Sequence, residues 1–246
     1  MNRYKLTISY DGTAYFGFQR QPNVNTIQEV LEGVLSRKFG EEINLIASGR
    51  TDTGVHAFGQ VAHFDTEKVV DCDRLPFELD KLLPADIAVT EIEKVDLDFH
   101  ARFGAKSKTY LYRVYLSKHN APLYRNYTSV CYYMLDVEQM EKACQYFVGE
   151  HDFRSFMSAD ESIKNSVREI YELRMERSAD GKELDFFVSG NGFLRNMVRV
   201  IVGTIVDVGR GRFSLDDLPK IFAAKDRTQA GKTLEGKGLY LVKVEY

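Results

Sequence analysis

The sequence predicts an α+β fold of two similar sub-domains, each with a mostly antiparallel sheet and helices packed on one side. Hydrophobic periodicity switches repeatedly between 2 and 3.6, the same coarse order of elements occurs in both halves, and a short polar, basic segment from Gly104 to Lys108 separates them. No short sequence repeat accompanies this, so any duplication lies in the order of elements. The predicted division runs 1–104 and 105–246.

Tyr4, Leu6, Ile8 and Tyr10 alternate with Arg3, Lys5, Thr7 and Ser9, the pattern of a half-buried strand, which Asp11-Gly12 ends as a turn. From Thr26 the period changes. Ile27, Val30, Leu31, Val34 and Leu35 form a helical stripe, with Thr26 and Glu29 spaced as a capping box and Gly40 as the C-terminal cap. A strand from Ile43 to Ser48 then enters a polar, glycine-bracketed loop, and Gln60 to Phe64 resumes extended structure. A helical stretch over 73–83, a break at Pro84 and a strand from Ile87 to Val95 complete the first half.

The second half opens on Tyr110, Tyr112, Val114 and Leu116 in alternation. Asp136 caps a helix that Gly149 ends, and strands follow at Val167–Arg177 and Leu184–Ser189. Phe193 to Val208 is apolar nearly all round, which predicts a buried helix. A short helix over Asp216–Ala224 and a strand over Leu239–Tyr246 close the chain.

Composition narrows the classes of function. The 246 residues carry a net charge of −3, which excludes a broadly basic nucleic-acid coat. Hydrophobic residues make 44% and charged residues 28%, an ordinary globular balance that excludes disorder and low complexity. Cys72, Cys131 and Cys144 are too widely spaced for a disulfide or zinc framework, which fits a reducing cytoplasm. There is no apolar leader and no long apolar run, so neither secretion nor membrane insertion is expected.

Two patterns are decoys. Gly231-Lys232-Thr233 resembles a phosphate-binding loop, but position 226 is Asp where that loop needs glycine. His56, His63, His100, His119 and His151 lack metal-ligand spacing, so no metal or other cofactor is expected. The segment Gly49 to Ala57 is richer, combining two glycines, an Arg, a carboxylate, hydroxyls and a His after an apolar strand. It reads equally as a tight turn in which Asp52 caps Thr53 or Gly54, or as a loop presenting Asp52 as a carboxylate nucleophile. Carboxyl groups are ordinarily ionised at neutral pH, so the second reading requires no metal.

Gly-Arg-Thr-Asp-Thr-Gly-Val-His-Ala at 49–57 resembles the signature loop of the bacterial tRNA pseudouridine synthases of the TruA family. The similarity continues in Ser-Tyr-Asp-Gly-Thr-Ala-Tyr-Phe-Gly-Phe-Gln-Arg-Gln (9–21), Lys-Thr-Tyr-Leu-Tyr-Arg (108–113), Gly-Asn-Gly-Phe-Leu-Arg-Asn-Met-Val-Arg (190–199), Ala-Ala-Lys-Asp-Arg (223–227) and Gly-Leu-Tyr-Leu (238–241). These motifs stand in family order across essentially the whole chain.

The resemblance implies a duplicated RRM- or ferredoxin-like fold whose sheets form the family's central sheet. The N-terminal sub-domain would carry the catalytic Asp loop and the C-terminal one would complete the cleft. The implied activity is isomerisation of uridine to pseudouridine at positions 38, 39 and 40 of the tRNA anticodon stem-loop, with no cofactor. Asp52 matches the family nucleophile, which attacks ribose C1′ or uracil C6. Tyr110 matches the tyrosine that stacks on the target base and assists loss of the C5 proton; by pattern alone it is a sheet-face aromatic. Arg50 and Arg199 match basic positions of the motifs, Arg50 as partner of Asp52 or occupant of the space left by the extruded base. Arg195 and Arg199 are spaced i, i+4 on the apolar helix and are expected to face Asp52 or phosphate, with a structural ion pair as the equal alternative for Arg195. Local basic patches from Arg20, Lys106, Lys108, Arg195, Arg199, Arg210 and Arg212 would reconcile RNA binding with the net negative charge. A homodimer is implied by the resemblance alone.

Three departures bear on RNA contact and loop stiffness: Phe18 where Trp is common, Val200 for a usual Asn, and Lys232-Thr233-Leu234-Glu235-Gly236 for a Pro-Thr-Ala-Pro-like stretch. Two other classes compete. A non-catalytic RNA-binding module would not need Asp52. A glycoside hydrolase would pair Asp11 with Asp52, but Asp11-Gly12 reads as a turn and the chain has no Trp to platform a sugar.

Overall fold

Tyr4, Leu6, Ile8 and Tyr10 bury one face of strand β1 (Asn2–Tyr10), as their alternation requires. The computed structural model describes residues 1–159 and 163–246, which fall into two units: Met1–Lys106 with Tyr240–Tyr246, and Ser107–Leu239.

In the first unit β1 lies between two antiparallel partners, β3 (His56–Thr66) and β4 (Ile87–Val95). The other edge of β3 is shared. Its C-terminal half pairs with β2 (Ile46–Ala47), and its N-terminal residues His56 and Ala57 pair in parallel with Tyr240 and Leu241 of the last strand, β10 (Leu239–Glu245). Helix α1 (Ile27–Phe39) buries Ile27, Leu31, Val34 and Leu35, and Phe39 stacks on Phe64, itself stacked on Tyr4. Gly40 ends α1 in the left-handed region at φ 68°.

The capping box expected at Thr26 does not form. Thr26 is the N-cap by backbone geometry, but its hydroxyl is buried and has no hydrogen-bond partner among the described residues. The first two helical N–H groups, of Ile27 and Gln28, donate instead to the carbonyls of Gly17 and Phe18, so the preceding loop does the capping. The strand expected over 43–48 shortens to β2, because Ile43 N–H is taken by Ser36 Oγ and Leu45 N–H by Glu32. The second helix is likewise short, α2 (Leu75–Leu79).

In the second unit β5 (Ser107–Leu116), β9 (Glu183–Gly190), β8 (Val167–Arg177) and β7 (Gly149–Asp152) run antiparallel in that order, and β6 (Ser129–Cys131) pairs in parallel with β5. Helix α3 (Val137–Cys144), whose N-terminus Asp136 caps by accepting Gln139 N–H, packs on α4 (Met197–Gly209). Helix α4 is buried on every side except at Arg199, as its composition predicts. It begins at Met197 rather than Phe193, because Asn196 takes the left-handed conformation at φ 63°. Arg195 therefore precedes the helix, and the expected i, i+4 pair with Arg199 is not helical. Helix α5 (Leu218–Ala224) buries Leu218 and Ile221 and sets Phe222 against the rings of Phe147, Phe153 and Phe156. The Gly231-Lys232-Thr233 decoy lies across α4: a Cβ on Gly203 would stand 2.0 Å from the Lys232 carbonyl, so that glycine is there for packing. Among the described residues no helix is long and apolar enough to cross a membrane.

Candidate active site

Two sequence-distant segments of the first unit become one structure around Asp52. Asp11 caps a single 3-10 turn over Gly12–Ala14 by accepting Thr13 N–H and hydroxyl at 2.9 and 2.5 Å. Beyond that turn the chain runs against the 49–55 loop at two glycines. A Cβ on Gly12 would stand 2.0 Å from the Val55 carbonyl oxygen, and one on Gly17, where φ is 93°, would stand 2.6 Å from the Thr51 carbonyl oxygen. Only glycine permits either approach. Phe18 N–H then donates to Thr51 O at 3.1 Å, Gly54 N–H to Tyr15 O at 3.4 Å, and His56 Nδ1 accepts Gly12 N–H at 3.1 Å. Asp52 is half-buried in this clasp, and Val55 N–H closes a turn on the Asp52 carbonyl at 3.2 Å. This turn is a backbone one, distinct from the side-chain cap of Thr53 or Gly54 that the sequence offers. Arg50 is exposed.

A buried polar network holds the approach to Asp52. Gln60, fully buried on β3, accepts the Ser48 hydroxyl at 2.7 Å and donates to Gly49 O at 2.9 Å. Tyr10 OH and Thr51 Oγ1 share a hydrogen bond of 2.7 Å, and burial pushes the Tyr10 phenol up to about 12, so it stays neutral. The segment entering the loop is thus fixed by side chains from β1 and β3. Below it, Tyr240 stacks on His56 at 4.7 Å and on Phe58 at 5.2 Å.

In the second unit Tyr110 is 8% exposed and meets the Phe193 ring edge-on at 5.1 Å, whereas Tyr112 is wholly buried and donates to Glu235 O at 2.7 Å. The two tyrosines of the stripe therefore differ: Tyr112 is committed to packing, while Tyr110 retains some accessible surface. Arg199 donates Nε–H to Leu234 O at 2.7 Å and an Nη1 hydrogen to Asn196 Oδ1 at 2.5 Å, which ties the divergent 232–236 stretch to α4. Arg195 is exposed, and its carbonyl accepts Ser158 N–H at 3.0 Å.

Gln60, Ser48 and the two packing glycines were not singled out from sequence. Gln60 had a signal, as a polar residue inside the apolar run that resumes the strand. Gly12 reads as part of a turn and stands with Gly17 in the 9–21 motif, but neither signal marks a close approach, since the backbone they meet lies far along the chain.

The family described as tRNA pseudouridine synthase matches this chain over residues 6–104 and 143–246. The chain is 47% identical over 246 residues to tRNA pseudouridine synthase A of Caldicellulosiruptor bescii, covering 100% of both. It is 46% identical to the protein of that name from Bacillus subtilis, covering 99% of each, and 45% identical to that of Acetivibrio thermocellus, covering 100% of each.

Proposed function

The chain belongs to the tRNA pseudouridine synthase family, and on that premise we propose that it acts at positions 38, 39 and 40 of the anticodon stem-loop with Asp52 as nucleophile. It is an isomerase that converts uridine in tRNA to pseudouridine. The observation that carries the assignment of Asp52 is its position in a loop clasped by Gly12 and Gly17 and fixed by Gln60, which orders the backbone of Asp52.

The target uridine is drawn out of the helix, at a cost of a few kcal/mol, and stacking on Tyr110 at about 1–3 kcal/mol offsets much of that. The Asp52 carboxylate adds to the nucleoside at ribose C1′ or uracil C6, and the N1–C1′ bond breaks. The uracil turns, C5 bonds to C1′, the C5 proton leaves to solvent and N1 regains a proton. Substrate and product are isomers, and the aspartate is regenerated. Exposed Arg50 occupies the space vacated by the base, while Arg195 and Arg199 contact the RNA. A cytoplasmic location is in keeping with the three widely spaced cysteines, and a homodimer is what the sequence resemblance implies.

Tritium release from tRNA carrying 5-tritiated uridine tests the reading. Wild type releases label, and Asp52→Asn binds tRNA in a gel shift but releases none, a loss of at least about 10⁴-fold. Label release by Asp52→Asn at a comparable rate would refute the assigned nucleophile.

A further inference from the structure

The loop that places Phe193 against Tyr110 is clamped to β8. Asn191 N–H donates to Glu169 O at 3.0 Å, and Asn191 Oδ1 accepts Glu169 N–H at 3.1 Å. Gly190 makes this possible, because a Cβ there would stand 2.5 Å from the Glu169 carbonyl oxygen. The adjacent Arg168 then lies along Gly192, with Nε and Cδ 3.7 and 3.8 Å from where a Gly192 Cβ would be. Tyr110 and Arg168 are held by one short loop within one unit.

The Arg168 guanidinium donates from Nη1 to the carbonyls of Val167 and Asn165 at 2.6 and 3.2 Å, and among the described residues these neutral oxygens are its partners. The neighbouring Glu169 projects to the opposite face of the strand. Burial lowers the Arg168 pKa, with no acid offsetting it. Arg3 and Arg113 are the contrast, each held by a carboxylate, Asp65 and Asp185. A half-buried guanidinium fixed by carbonyls keeps its full charge and a planar donor edge that fits a phosphate.

We propose that Arg168 binds a phosphodiester oxygen of the RNA strand beside the uridine stacked on Tyr110. This rests on the reading of Tyr110 as the stacking residue. The test is binding of a tRNA transcript across a potassium chloride series by wild type, Arg168→Gln and Arg168→Lys, with stem-loops carrying a methylphosphonate at either phosphate flanking the target. Arg168→Gln is expected to weaken binding about tenfold at 0.1 M salt and to flatten the log–log salt slope by about 0.7–0.9, with Arg168→Lys restoring the slope. One flanking methylphosphonate should weaken wild type and leave Arg168→Gln unaffected. A lower Tm with unchanged affinity and slope would reduce Arg168 to a tie for residues 165–167 and overturn the proposal, as would equal methylphosphonate effects on wild type and Arg168→Gln. Label release by Tyr110→Ala is measured alongside: undiminished release refutes stacking on Tyr110, while the methylphosphonate comparison still decides whether Arg168 holds a phosphate.

Discussion

Gln60 touches both residues that precede Arg50, so its removal tests how far the reaction depends on a side chain remote from the base. Gln60→Leu keeps the volume but leaves the Ser48 hydroxyl and Gly49 carbonyl without that partner, at an expected cost of about 2 kcal/mol in chemical denaturation. On the proposed role of Asp52, single-turnover rate should fall about 10- to 100-fold with little change in tRNA affinity, since misplacing that carboxylate would damage geometry rather than binding. A rate loss no larger than the fraction unfolded would reduce Gln60 to a purely structural residue. His63 offers a pH prediction. It is buried on β3, accepts Ala101 N–H at 3.1 Å and faces Arg3, Asp65 and His100, and its Nε2 has no partner among the described residues. Burial, with help from Arg3 and His100, lowers its pKa to about 4 from 6.5. The unfolded chain therefore binds a proton that the folded one refuses between these values, so stability is full above about pH 6.5 and falls as pH drops toward 4. The expected loss is about 3 kcal/mol, and urea unfolding of His63→Leu should lack that component of the decline.

At the scale of elements, helix α1 reveals the limits of a motif read by spacing. Thr26 and Glu29 have the capping-box spacing, yet the carbonyls of Gly17 and Phe18 reach the helix first, and the buried Thr26 hydroxyl has no hydrogen-bond partner among the described residues. Replacing an N-cap threonine usually costs about 1 kcal/mol. Here Thr26→Val is expected to be neutral or to stabilise by about 0.5–1 kcal/mol, because it removes an unsatisfied polar atom at nearly constant shape. A thermal melt showing a Tm lowered by several degrees would contradict it. Helix α4 errs in the other direction. Its apolar content correctly marks a buried helix, but Asn196 in the left-handed region ends the preceding turn, and Arg195 stays outside. Asparagine tolerates that conformation, and nothing in the hydrophobic pattern records it.

At the scale of the molecule, the last strand returns to the first unit, where Tyr240 covers His56 and Tyr246 OH donates to Ala101 O at 2.7 Å. Deleting residues 240–246 should therefore melt the first unit rather than trim the second, with loss of a cooperative transition in circular dichroism; a Tm within about 2 °C of wild type would count against this. Much of the fold was legible beforehand: β1, α1, β4 and β8 declare themselves through local periodicity, and Asp52 through a family motif. The clasp of Gly12 and Gly17 on the Asp52 loop was not, nor was Gln60's bond to Gly49, the shortening of β2 or the carbonyl ties of Arg168. The amino-acid sequence by itself determined most of the elements and the family, and it singled out Asp52 as the candidate nucleophile, because these are written in residue type and near-neighbour spacing. Tertiary structure alone decided which backbone groups meet, since contact between distant segments depends on register and close approach, to which a glycine or a buried amide contributes no periodic signal.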